Sequence, residues 1–223
     1  MLRRDYILRA IEECVRALAR IQMLSRAEQW EEARKEIESE LQKLLDSEAT
    51  DLGSLSETEL MAGLTRGPTH LVRDKTFMAA ALLKEAGDLA AAENCESAAE
   101  AHYLKALNLV LMTLGRGEID EAPEYVPSVE ILRACLDPRP LPLQTNALLM
   151  QHYERAGEFA KSESALFSML EAEPANRTIL EFGRTFYNRL ATQSDAALAA
   201  GNLSRPEAEA GLKELESRFQ NAG

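Results

Sequence analysis

The sequence is poor in aromatic residues and in glycine and proline, the residues that favour turns. Phe, Trp and Tyr together make up 5% of its 223 residues, and there are only 11 glycines and 8 prolines. No stretch alternates β-branched or aromatic residues with polar ones, so the sequence offers no β-strand. The sequence is dominated by Glu, Ala, Leu and Arg. Because these residues lose little free energy on entering a helix, the composition predicts an all-α fold with an aliphatic core.

A net positive charge and long apolar runs are also missing. The net charge of -12 argues against nonspecific binding to nucleic acid phosphates. No run approaches the ~18 apolar residues of a membrane span, and acidic residues interrupt any signal-peptide pattern at the start. The three cysteines, Cys14, Cys95 and Cys135, lie too far apart for a disulfide framework. We therefore expect a cytoplasmic protein that binds neither membranes nor nucleic acid.

Recognisable catalytic and metal-binding motifs are absent from the sequence. There is no phosphate-binding loop, and Gly115-Arg116-Gly117 is typical of a helix stop rather than of a dinucleotide fingerprint. His70 is isolated, and neither His102 nor His152 has a second ligand three or four residues further on. The sequence thus predicts no catalytic residue, no metal site and no cofactor.

Apolar residues recur at helical spacing along most of the chain, which predicts helices over about 5–24, 28–45, 74–93, 95–114, 128–135 and 176–200. Further helices are expected after Leu143 and Ser204. Three capping boxes predict helix starts; they pair Ser25 with Glu28, Ser56 with Glu59, and Ser204 with Glu207.

The first two predicted helices carry opposite charge. Residues 1–26 hold six arginines against three acids, whereas residues 28–51 hold nine acids against three bases. The helices are therefore expected to pack as antiparallel neighbours with attracting flanks. The acidic run in the second helix is interpreted as a solvated face, with a patch for a basic partner as the alternative; it comprises Glu31, Glu32, Glu36, Glu38 and Glu40.

Small and aromatic residues recur in a helix-turn-helix pattern. Gly87 is followed by Ala99, Tyr103 and Ala106, and a weaker copy follows from residue 149 to Pro174. This pattern resembles the tetratricopeptide repeat, over about half of the chain. The resemblance implies irregular antiparallel helical hairpins with a right-handed superhelical tendency. It also implies a binding function, since members of that family usually bind a partner protein or peptide.

A second resemblance concerns the start of the chain. The residues Asp5-Tyr6-Ile7, Ile11-Glu12 and Arg16-Ala17-Leu18-Ala19 are similar to the opening of a bacterial family of helical proteins without an assigned function. This resemblance implies no particular chemistry.

The chain is predicted to form a single helical domain over residues 1–223. Its only candidate subdomain boundary is the segment 115–142, which is expected to be mostly irregular and mobile. Five prolines limit helix there to one short piece; they are Pro123, Pro127, Pro138, Pro140 and Pro142.

We expect a non-catalytic module that binds an unidentified protein or peptide, with self-association left open. If the repeat resemblance holds, a partner-binding groove is lined by Lys84, Asp88, Gln144, Gln151 and Arg155. Asp88 would repel the terminal carboxylate of a peptide. Simple solvent exposure of these five side chains remains the alternative at the residue level. At the functional level, the alternative is an enzyme or small-ligand protein with a pocket between helices.

Overall fold

The computed structural model describes residues 2–46, 55–66, 68–117 and 121–221. Within these ranges the regular structure is helical and no strand occurs, which confirms the all-α prediction. The chain divides into two compact units, Met1–Arg139 and Pro140–Gly223. Whether the two units function as one domain stays a prediction.

In the described part of the first unit there are six helices. α1 packs against α2, α4 packs against both of them and against α5, α3 packs on α2 and α4, and α6 packs on α5. The helices are α1 (Leu2–Arg26), α2 (Trp30–Leu45), α3 (Glu57–Leu64), α4 (Val72–Ala92), α5 (Glu96–Leu114) and α6 (Val129–Leu136), with one 3-10 turn (Thr69–Leu71) before α4.

The central element of this unit is α4. All residues from Thr76 to Leu83 are buried, so more than two full turns of α4 are covered on every side. Ala79, Ala80 and Ala81 are at most 2% exposed and provide small contact surfaces. Small side chains let neighbouring backbones approach closely, which explains how α1, α2, α3 and α5 all pack against α4.

The closest approach between α4 and α5 occurs at Gly87. The ring of Tyr103 lies directly over this glycine, and an ideal Cβ at Gly87 would lie 2.6 Å from Cδ1 of Tyr103. Any side chain at position 87 would therefore displace the ring. Ala99 and Ala106, on either side of Tyr103 along α5, are also buried.

The second unit, described through residue 221, has five helices over that range. α7 packs against α8, α8 against α9, and α9 against α11. The turn between α7 and α8 contains Gly157 with a positive φ of 75°, a conformation that glycine adopts without strain. The helices are α7 (Leu143–Arg155), α8 (Phe159–Ala172), α9 (Arg177–Ala191), α10 (Asp195–Ala200) and α11 (Arg205–Asn221).

Two of the three predicted capping boxes are confirmed. Ser56 accepts a bond from the Glu59 amide while Glu59 accepts one from the Ser56 amide. Ser204 and Glu207 exchange the same pair of bonds at the start of α11. The box at Ser25 is wrong, because α1 continues through Arg26 and α2 begins only at Trp30. The turn between them is closed by backbone bonds, with Glu28 in the left-handed region.

Two other helix boundaries differ from the prediction. The helix predicted over 74–93 begins two residues earlier, at Val72 directly after the 3-10 turn, so Asp74 lies in its first turn. The predicted helix over 176–200 is divided at Thr192. A new N-cap at Ser194, whose hydroxyl accepts from the Ala197 amide, begins α10.

The proline-rich segment contains the short helix that was predicted for it. Ser128 caps α6, and four apolar side chains of the segment are buried, whereas Ile131 is exposed; the buried ones are Val126, Val129, Leu132 and Leu136. Burial of this stripe ties the segment to the first unit. Residues 118–120 of the segment, and 47–54 of the loop before α3, lie outside the described residues.

Replacing Gly87 with leucine is expected to lower the free energy of unfolding by about 1–3 kcal/mol, because overpacking forces Tyr103 away from α4. Urea unfolding followed by circular dichroism measures this change. The matched control is Ala92→Leu on the exposed surface of the same helix. Equal midpoints for the two variants would contradict the close approach described above.

Candidate functional site

Polar side chains from four helices of the first unit meet beside the Gly87 contact. We call this group the Lys84 cluster; it consists of Gln22, Lys84, Glu85, Asp88, Tyr103 and Cys135. Lys84 and Asp88 are one turn apart on α4, and Nζ of Lys84 lies 2.5 Å from Oδ2 of Asp88 and 3.7 Å from Oε1 of Glu85. Gln22 of α1 donates to Glu85 at 3.0 Å.

Tyr103 connects the cluster to α5. Its hydroxyl donates to Oδ1 of Asp88 at 2.8 Å, so Asp88 accepts from both Lys84 and Tyr103. Burial raises the pKa of the Tyr103 phenol, and the bond to Asp88 raises it further. The phenol therefore remains protonated at neutral pH and acts as a hydrogen-bond donor.

The electrostatics keep Lys84 charged and Cys135 protonated. Burial opposes the charged form of Lys84, but its bond to Asp88 and the charges of Glu85 and Asp88 outweigh this effect and raise its pKa. Burial, followed by the charge of Asp88, also raises the pKa of the Cys135 thiol, although Lys84 and Tyr103 oppose the rise. A nucleophilic cysteine needs a lowered pKa, so this arrangement does not activate the thiol.

A hollow of about 260 Å³ opens between α2, α4 and α5. We call it the α2–α4–α5 hollow. Its walls are mostly aliphatic, and its charged side chains come from α2 and from the end of α4. The lining residues are Arg34, Ile37, Glu38, Leu41, Ala86, Leu89, Ala90, Glu93, Cys95, Ala98 and His102.

An ion pair joins α2 to the end of α4, two of the three helices that border this hollow. Arg34 of α2 donates to Glu93, the C-cap residue of α4, at 2.6 Å, and to Glu31 at 2.9 Å. Both carboxylates thus bind the same guanidinium. Cys95, which caps the start of α5, is exposed, and its thiol lies 3.8 Å from the Glu93 carbonyl oxygen.

A second hollow of about 270 Å³ lies between α1, α2 and the start of α4. Cys14 lines it, and burial together with the nearby Glu40 raises the pKa of this thiol to about 12. Lys75 donates to the Leu44 carbonyl at 3.1 Å. Leu44 of the lining lies two residues before the described range 2–46 ends.

The five predicted groove residues occur in both units. Lys84 and Asp88 belong to the Lys84 cluster in the first unit. Gln144, Gln151 and Arg155 are exposed on α7 in the second unit, where spacings of seven and four residues place them on one face. The prediction that all five line one groove stays a prediction.

Most of the residues that surround these features could not be predicted from the sequence pattern. Nothing in that pattern placed Cys135 beside Lys84. The acidic run of α2 is partly an internal surface, because Glu36 pairs with Arg20 of α1 and Glu40 is buried beside Lys43. The Arg20–Glu36 pair confirms the predicted attraction between the first two helices.

The second unit contains a half-buried carboxylate, that of Glu163. Tyr187 of α9 donates to Oε1 of Glu163 on α8 at 2.7 Å, and Gly211 of α11 lies against both groups. Burial raises the pKa of Glu163, and Glu207 and Glu214 raise it further, against the lowering effect of the Tyr187 bond.

Metal binding and membrane insertion find no support in the described residues. No group of three or more His, Cys, Asp or Glu side chains among them is arranged to hold a metal ion. None of the described helices combines the length and apolar character that crossing a bilayer requires.

These features define an all-helical protein of packed antiparallel helices, with polar clusters enclosed between them and an open hollow in the first unit. The chain belongs to the family of unknown function DUF6483, whose model matches residues 1–220. The match is compatible with the resemblance to an uncharacterised helical family noted at the N-terminus. Neither the curated proteins nor the solved structures yielded a match.

The three cysteines are expected to react with iodoacetamide at very different rates at neutral pH. Cys95 should react first because it is exposed, Cys135 more slowly, and Cys14 slowest because it is buried and its pKa is raised to about 12. Peptide mass spectrometry after short exposures measures the order. The urea-unfolded chain is the control, in which the three rates should converge. Labelling of Cys14 in the folded protein as fast as Cys95 would refute its described burial.

The Glu163 carboxylate is expected to make the protein less stable at neutral pH than its glutamine variant. Because its folded-state pKa lies above the ordinary 4.5, the folded state binds a proton more readily than the unfolded state. Its contribution to stability is therefore present in acid and is lost as pH rises through the raised pKa. Glutamine retains an acceptor for Tyr187 without the half-buried charge.

The melting temperature of Glu163→Gln should accordingly exceed that of the wild type at pH 7, and the difference should shrink as pH falls toward 4.5. Glu209→Gln, at an exposed position of α11, is the control for the loss of one charge. A difference that is equal at both pH values would rule out titration of Glu163 as its cause.

Proposed function

We propose that this protein is a non-catalytic module that binds another protein or a peptide, and that the α2–α4–α5 hollow receives a side chain of that partner. The observation that carries the proposal is the hollow itself, which is open, aliphatic in its walls and bordered by charged groups. Binding sites commonly combine apolar walls with a few polar groups that orient the ligand.

The state of the Lys84 cluster favours binding over catalysis. Its lysine is paired with carboxylates, its phenol donates to Asp88, and its thiol has a raised pKa. A general base or nucleophile needs a pKa near the working pH or an adjacent base that activates it. The bonds of the cluster hold α1, α4 and α5 together instead.

The α4–α5 hairpin supports the tetratricopeptide-like part of the proposal. Gly87, Ala99, Tyr103 and Ala106, which carry the resemblance, are all buried, and Tyr103 packs on Gly87. Hairpins of this family usually serve to hold partners. A cytoplasmic location and a preference for protein partners over nucleic acid complete the proposal, in line with free cysteines and a net charge of -12.

The alternative is a protein that binds or transforms a small molecule in the same hollow. The specific observation in its favour is that His102 and Cys95 both line the hollow, which gives it groups able to titrate or react. A small apolar compound that protects Cys95 from alkylation, in the absence of any peptide ligand, would favour this alternative.

Filling the hollow is expected to abolish peptide binding without unfolding the chain. Ala98 is an exposed lining residue, so Ala98→Leu should project into the hollow. Peptides selected from a random library on the immobilised wild-type protein should bind this variant about tenfold more weakly or worse, a loss of at least ~1.4 kcal/mol. Fluorescence anisotropy measures the affinity, and thermal melting verifies the fold.

Two further variants make this test specific. Ala101→Leu alters an exposed alanine of α5 outside the hollow and should bind like the wild type. A Gln151→Ala/Arg155→Ala double variant tests the exposed face of α7. If the selected peptides lose affinity for this double variant and not for Ala98→Leu, the hollow is not the binding site.

A further inference from the structure

The charges around the α2–α4–α5 hollow are unbalanced. Among the described residues of its lining, Arg34 is the only Lys or Arg, and it binds the carboxylates of Glu93, which lines the hollow, and of Glu31, which does not. Glu38, one turn further along α2, also lines the hollow; it forms no ion pair within the described part of the chain, although its charge acts on Arg34. Within the lining one guanidinium thus faces two carboxylates, and the mouth of the hollow is negative.

A negative mouth discriminates between ligands by charge. An approaching cation gains Coulomb energy from Glu38 without having to break the Arg34 ion pairs. An approaching anion is repelled by the carboxylates and finds no cation available, since Arg34 is occupied by Glu31 and Glu93. The net charge of -12 extends the same preference over longer distances and increases the encounter rate with positively charged segments.

The size and walls of the hollow select for an apolar group. A cavity of about 150 Å³ lined by aliphatic side chains is large enough to bind benzene, and this hollow measures about 260 Å³. A phenylalanine or leucine side chain therefore fits against Ile37, Leu41 and Leu89. Burial of such a side chain is the main favourable contribution to binding, which makes it the anchor of the interaction.

We infer that the hollow recognises a peptide segment in which a large apolar side chain is followed by a lysine or arginine, the apolar group entering the hollow and the cation pairing with Glu38. This inference rests on the proposed function and specifies the partner of that same site. It also assigns a role to one residue of the acidic run in α2, for which a basic partner was the alternative to simple solvation.

Three synthetic peptides test the inference on the full-length protein. Each carries one phenylalanine within a Gly-Ser linker, followed by arginine, glutamine or glutamate. Their affinities are read from the concentration that protects Cys95, an exposed residue of the hollow, from iodoacetamide. The Phe-Arg peptide is expected to protect at about two- to fivefold lower concentration than Phe-Gln, as suits a partly exposed ion pair, and Phe-Glu should be weakest.

Charge reversal provides the matched comparison. Glu38→Lys should remove the advantage of Phe-Arg and favour Phe-Glu, whereas Glu32→Lys, an equal charge change at an exposed position of α2 outside the hollow, should leave the order unchanged. Raising the salt concentration should reduce the difference between the peptides in the wild type. Circular dichroism verifies that both variants fold.

The outcomes separate the inference from the proposed function. Equal protection by all three peptides, or equal effects of Glu38→Lys and Glu32→Lys, would overturn the charge preference and leave the hollow as a binding site. If none of the three protects Cys95, and library-selected peptides do not protect it either, the hollow binds no peptide and both proposals fall.

Discussion

The contact between Gly87 and Tyr103 sets the distance between α4 and α5. The aromatic ring occupies the space that any side chain at position 87 would need, and its hydroxyl is held by Asp88, the next residue of α4. A buried hydroxyl without a partner would be costly, so the carboxylate allows a tyrosine in a place that otherwise suits only an apolar side chain. Since α4 also packs against α1 and α2, its position determines how the first unit is arranged.

The second unit uses the same physical arrangement with different connectivity. Tyr187 lies against Gly211, and its hydroxyl donates to Glu163, so the three groups join α9, α11 and α8. The two arrangements differ in charge. Asp88 has Lys84 beside it, whereas the charges of Glu207 and Glu214 raise the pKa of Glu163. The second arrangement therefore keeps a half-buried carboxylate whose charged form is disfavoured, which couples the stability of this unit to pH.

The arrangement of charges in the first unit separates structural groups from groups available to a ligand. In the Lys84 cluster every charged side chain bonds to another member, which stabilises the packing of three helices. At the α2–α4–α5 hollow, pairing is incomplete, because Arg34 satisfies two carboxylates and Glu38 remains at the mouth. An apolar cavity with a surplus negative charge at its edge is suited to a ligand that carries an apolar group beside a cation. For this reason we propose binding as the function of this member of the DUF6483 family.

The sequence by itself determined the fold class and the approximate positions of most helices, since these depend on residues a few positions apart. The capping box at Ser56 illustrates this, because all its bonds lie within four residues. Ser25 and Glu28 match the same sequence pattern but form no capping box, because α1 continues past Ser25. The length of α1 is set by its packing against α2 and α4, which a short pattern does not contain. The close packing at Gly87 was predicted from the pattern of Gly87, Ala99, Tyr103 and Ala106, which spans two helices. The candidate site was decided only by tertiary structure: Gln22 and Glu85 meet across 63 residues, and Arg34 and Glu93 across 59. Such contacts leave no local periodicity, because each side chain is placed by the packing of a different helix.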